Sequence, residues 1–239
     1  MAKDRDMGIF CISPFDKGGG VYNSSRTVRG ICDEVGIDPL EFSIGWLIRE
    51  GVHTMTVGVG RTEDYDEPIH ACYMLHERRE EFMGMVGDVE MKLDKKLEDS
   101  LGKEWMETWW DGVPNSFETD TGVDFVRCVW SYNLMVGLGM QWFAYQRHKT
   151  GVGNAKNWDP EKSADENRKE WGYMPGLNPT KGTDYGEALK GVREENFERV
   201  KKIVEEEYWR LVELKEGEEG WNKGWETIDM RPWVAYPER

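Results

Sequence analysis

"MGIFCISPFDKGGG", residues 7–20, is a short apolar run that breaks into Ser13-Pro14 and then into three glycines. Ile9 to Ile12 suit a buried strand, and the Pro and Gly that follow suit the turn that ends one. The next signals lie downstream. In "DPLEFSIGWLIREG", residues 38–51, Asp38-Pro39 is a helix start, with Pro39 at the first helical position. Leu40, Ile44 and Leu47 recur at helical spacing, Phe42 and Trp46 widen the apolar face, and Gly51 is a helix stop. "VHTMTVGVG", residues 52–60, reads as a second strand running into glycines. "RTEDYDEPIHACYML", residues 61–75, resumes as helix, with Pro68 near its start. Strand–helix–strand–helix with short links implies parallel strands and right-handed crossovers. Residues 7–75 therefore read as an α/β segment.

Beyond residue 76 the texture changes. Residues 76–110 are charged and helical in period, and residues 123–148 form a more apolar candidate helix. Residues 150–190 are rich in Gly, Asn, Pro and Asp and read as loop. An amphipathic helix follows, with Phe197, Val200, Val204, Tyr208 and Leu211 three or four apart. The last residues form an aromatic-rich tail. The expected organisation is an α/β part over 1–75, a helical extension over 76–149, an irregular region over 150–190, and a helix and tail over 191–239.

Charge excludes some partners. With 31 Lys and Arg against 46 Asp and Glu, the 239-residue chain carries a net charge of −15. Phosphate backbones need clustered cations, so nucleic acid is not an expected partner, nor is an anionic membrane surface. No stretch approaches a membrane span, and "MAKDRDMG" lacks the apolar core of a signal peptide. Cys11, Cys32, Cys72 and Cys128 are widely spaced and include no C-x-x-C pair. Neither a metal site nor a disulfide framework is expected, and the reading is a cytoplasmic protein with reduced thiols.

Two stretches carry chemistry if any do. In "ISPFDKGG", Ser13 offers a hydroxyl, Lys17 a point charge, and the glycines from Gly18 let a ligand approach the backbone. In "VGVGRTEDYDE", Gly58 and Gly60 open a turn, and Arg61 precedes a helix N-terminus, a ready anion site. Taken singly, each reads equally as an ordinary strand–turn–helix link.

Taken in order, they resemble the last two β/α units of the aldo-keto reductases, which bind NADP(H) on a (β/α)8 barrel. "PLEFSIGWLI" is similar to the Pro-Leu-x-Phe-Ala-Leu-x-Trp-Leu run common in that family's seventh helix. The resemblance covers residues 7–75 and implies a partial TIM barrel followed by a mainly helical C-terminal extension. It implies that Ser13, Pro14, Phe15, Lys17 and Gly18 line a pyrophosphate loop. Gly58, Gly60, Arg61 and Thr62 would form the adenosine-side turn. Asp64 and Glu67 fall where the family often has Gln and Glu, and Pro68 where Asn is common. The implied cofactor is NADP(H) or NAD(H); acid for amide and proline for Asn leave that choice open. The extension resembles one found in a branch of the family, carried by "LGKEWMETWWDGVP" and "QRHKTGVGNAKNWDP".

Such reductases also need a Tyr acid, a Lys, an Asp and a His, which in the family precede the matched piece. No residue here is assigned to that set. The expectation is a C-terminal fragment of an NAD(P)H-dependent oxidoreductase that reduces small aldehydes or ketones, or oxidises alcohols. It would contribute cofactor grip and be inactive alone, and it is expected to be unstable, oligomeric or dependent on a missing N-terminal half. His53, His70, His76 and His148 read as surface or packing residues. The alternative is a non-catalytic interaction protein that binds through the helical, Trp-rich extension. There Trp105, Trp109, Trp110, Trp130 and Trp142 read as packing, and Trp221, Trp225 and Trp233 as a partner surface.

Overall fold

A computed structural model describes residues 3–15, 20–60, 62–115, 118, 123–154, 161–162, 166 and 186–208. The described chain is mostly helical and forms two compact units, of residues 3–95 and 96–208.

In the first unit, β1 (Phe10–Cys11) lies parallel to β2 (Thr54–Met55), with Phe10 opposite Thr54 and Cys11 opposite Met55. The crossover between them holds two helices. One, α1 (Arg26–Val35), has Ser25 as N-cap, its hydroxyl accepting from the Val28 amide. The other, α2 (Pro39–Arg49), opens on a complete capping box: Asp38 accepts from the Leu40 amide, and Glu41 accepts from the Asp38 amide. A 3-10 turn (Thr62–Tyr65) leads into α3 (Asp66–Glu77), with Pro68 in its first turn. Leu40 and Ile44 of α2 are buried among Ala71 and Met74 of α3 and Phe82, Val86 and Val89 of α4 (Arg79–Leu101).

The partial TIM barrel is not what forms. Each strand is two residues long, and among the described residues no other strand joins them. Side chains stop the ladder at both ends. The Ile9 amide donates to Nδ1 of His53 at 3.1 Å, and the Ser13 amide donates to Oγ1 of Thr56 at 3.0 Å. Those two amides are thereby withdrawn from backbone pairing. Ser13 also sits at φ 51, which turns the chain out of the extended region. The α/β expectation is thus corrected to a helical unit with one minimal parallel pair.

The second unit is built from α5 (Lys103–Thr108), α6 (Phe125–Leu138), α7 (Gln141–Asn154) and α8 (Glu194–Lys202), the last continuing as a π-helical stretch, Ile203–Glu207. The single apolar helix expected over 123–148 is two helices. Gly139, at φ 64, closes α6, and its amide donates back to Met135. Trp105 and Trp109 are buried in this unit's core with Phe125, Val129, Val200 and Tyr208. Among the described residues, no helix is long and apolar enough to cross a membrane.

Candidate functional site

The parallel pairing fixes the geometry. Because β1 and β2 run the same way, the chain leaves both at the same end, the end where parallel sheets place their ligands. The loop after β1 and the turn after β2 are therefore side by side. Two side chains tie them. Oγ1 of Thr56 receives the Ser13 amide, and the Tyr22 hydroxyl donates to the Gly58 carbonyl at 3.0 Å. The first loop closes on itself where the Val21 amide donates to the Phe15 carbonyl at 2.7 Å.

The residues singled out in the sequence fare differently. Ser13 and Pro14 are half-buried beside Thr56, whereas the Phe15 side chain is wholly buried in the core. Phe15 thus offers a ligand only its backbone. Gly58 is held by Tyr22, and Thr62 is exposed. The Gly60 amide donates to Oδ2 of Asp64 at 2.9 Å, and Asp64 is 6% exposed. Glu67 lies near Asp38, where its charge opposes ionisation of that carboxyl. Lys17, Gly18 and Arg61 lie outside the described residues, as do Trp221, Trp225 and Trp233.

Sequence reasoning missed Thr56 and Tyr22. Thr56 is one β-branched residue in a β-branched run, and Tyr22 reaches a partner 36 residues away. Neither contact leaves a signal in local spacing.

Electrostatically the surroundings are acidic. Asp38, the α2 cap, has its carboxyl pushed above the usual range by burial first, then by the Glu67 and Glu41 charges, which the Leu40 amide and Arg29 oppose. His70 of α3 meets Glu41 through Nδ1 and Oε1. Among the described residues no three His, Cys, Asp or Glu side chains converge to hold a metal ion. Ser13, Thr56 and Gly60 lie on the two adjacent loops, with the Ser13 amide bonded to Thr56 and the Gly60 amide bonded to Asp64.

Comparison with protein-family models, with curated proteins and with solved structures finds no match to this chain.

Proposed function

We propose that the paired loops after β1 and β2 hold a nicotinamide dinucleotide, NADP(H) or NAD(H). The chain would then supply the cofactor grip of an oxidoreductase of the aldo-keto reductase kind it resembles. One observation carries this reading: both candidate loops leave the same end of one parallel pair and are tied together by Thr56 and Tyr22. Hydride transfer joins a carbonyl, a reduced nicotinamide and a proton to give an alcohol and oxidised nicotinamide. In this proposal the loops orient the dinucleotide. The proton donor and the pocket for a small carbonyl substrate would lie outside these loops.

Calorimetric titration of the full chain with NADH and with NADPH tests this. Saturable binding of either, weakened in Thr56→Val, supports the reading. A cooperatively folded chain that binds neither overturns it.

A second reading, a non-catalytic interaction protein, is favoured by Trp110 and Trp130 of the helical extension, which stay 49% and 38% exposed. A folded chain that binds neither dinucleotide leaves this reading standing.

A further inference from the structure

Independently of any cofactor, we propose that the outer edge of β1 is a dimer interface. It pairs with the same edge of a second copy of this chain, antiparallel about Cys11. Hydrogen bonding fixes which groups face that edge. The His53 and Thr54 amides both donate to the Ile9 carbonyl, and the Thr56 amide donates to the Cys11 carbonyl at 3.0 Å. Ile9 and Cys11 thus turn their backbone groups to β2. By the alternation of a strand, Phe10 and Ile12 turn theirs to the opposite side. Among the described residues no strand lies there. Two-fold pairing about Cys11 sets Phe10 against Ile12 of the second copy, and Ile12 against Phe10. Each such pair exchanges two backbone hydrogen bonds, and one closed contact uses the same patch on both chains.

Side chains select both this edge and this occupant. Phe10 and Ile12 alternate onto one face of the pair and are 58% and 59% exposed. Thr54, opposite Phe10, and Thr56 share that face and are exposed beside them. A sheet in the order β2–β1–β1–β2 would therefore have aromatic and β-branched cross-strand pairs at its centre and threonine hydroxyls at its rim, the anatomy of an interface. Monomers guard an open edge with charge, whereas Met7 to Phe15 hold none. Two chains of net charge −15 repel one another, so an uncharged edge is where they can meet. The area covered falls well below the roughly 1,200 Å² of a standard interface, which makes the dimer weak and concentration-dependent.

Sedimentation of the full chain from micromolar to millimolar concentration tests this. A reversible monomer–dimer equilibrium is expected, with a Kd on the order of 100 µM. Ile12→Lys puts a charge beside the two-fold axis at an exposed position and should weaken the dimer at least tenfold. Ile12→Val should leave it within about twofold, and Phe10→Lys repeats the test should Ile12→Lys fail to fold. The register has its own readout. Cys11 would face its copy across a non-hydrogen-bonded pair, where Cα atoms lie about 4.5 Å apart, within reach of a disulfide. Cys72→Ser removes the exposed thiol of α3. Copper–phenanthroline oxidation of that variant should then link two chains through Cys11, and adding Ile12→Lys should abolish the link. A chain that stays monomeric throughout overturns the proposal. So does a dimer that Ile12→Lys and Phe10→Lys leave intact, or one that forms no link through Cys11.

Discussion

The backbone amide of Ser13 donates to the side-chain hydroxyl of Thr56 across 3.0 Å, joining residues 43 apart in sequence. That bond ends the β ladder and also fastens the two candidate loops together. Thr56→Val keeps the β-branched shape and removes the acceptor. It is expected to cost about 0.5–1.5 kcal/mol in urea unfolding, the usual worth of one hydrogen bond. Thr56→Ser should recover most of this. A Val variant as stable as wild type would show that the loops are held some other way.

The Asp38 carboxyl caps α2, yet burial and the nearby Glu67 and Glu41 charges push its protonation upward. A carboxyl raised on folding binds its proton more tightly in the folded chain. Its contribution is fully present below its ordinary value near 3.8 and is lost as pH rises through the raised one. Asp38→Asn retains a good cap without the charge. At pH 7 it should therefore be as stable as wild type or more so, with the relative gain shrinking as both are taken into acid. Asp38→Ala should lose about 1 kcal/mol in acid, because the cap itself is gone, and less at pH 7. Urea denaturation of the three chains at the two pH values separates cap from charge.

Glycines at two places in the first unit should answer alanine in opposite directions. A Cβ at Gly45 of α2 would lie 2.4 Å from Val86 Cγ2 and 3.0 Å from Phe82 Cε1. Gly45→Ala must push these buried side chains apart and should cost about 1–3 kcal/mol. At Gly84 of α4 a Cβ meets nothing within 4 Å, so Gly84→Ala should add about 0.5–1 kcal/mol through helix propensity. Thermal melts of the two variants check the pair. A tolerated Gly45→Ala would mean that α2 does not pack this closely on α4.

Much of the first unit was legible in the sequence, and the gaps have physical causes. Asp38-Pro39 and Gly51 mark α2 through local chemistry, and the structure adds a capping box closed by Glu41. The signal for α1 was also local, Ser25 followed by Val28, Ile31, Cys32 and Val35, but its Thr and Gly residues obscure the period. Strand length was not legible. The bonds from Ile9 to His53 and from Ser13 to Thr56, which flank the two-residue strands, span 44 and 43 residues and leave no local signal. The apolar run that suggested a buried strand is only partly covered: Met55 packs against the helical core, while Phe10 and Ile12 stay exposed. Gly139 splits α6 from α7 through its left-handed backbone, whereas Gly137, two residues earlier, stays within α6.

In the second unit the buried Trp105 indole donates to Oδ1 of Asn133 at 2.9 Å, while the Arg199 guanidinium lies 3.9 Å above its ring. Trp105→Phe removes the donor and strands a buried amide, so it should cost about 3 kcal/mol, more than lost area alone implies. Pairing it with Asn133→Leu should recover part of that loss in a double-mutant cycle. Additive losses would show that the indole and amide are not coupled. Arg199→Ala should cost about 1–2 kcal/mol, since it loses the ring contact and the bond to the Leu101 carbonyl.

The four thiols should separate cleanly in reactivity. Burial pushes the Cys32 thiol up to about 12, with the Asp38 and Asp33 charges adding to it. Burial and the Asp124 charge push Cys128 higher still. Only the thiolate attacks a disulfide reagent, so both should stay silent in the folded chain at pH 8. Cys72 is exposed on α3 and Cys11 is half-buried on β1. Titration with an aromatic disulfide is expected to show Cys72 reacting first and Cys11 more slowly. Cys32 and Cys128 should respond only after denaturant is added. Fast reaction of Cys32 without denaturant would mean that the packing of α1 against α2 opens readily. Because α1 and α2 form the crossover between β1 and β2, the same opening should loosen both candidate loops. Cys32 reactivity is then expected to fall when a dinucleotide is bound.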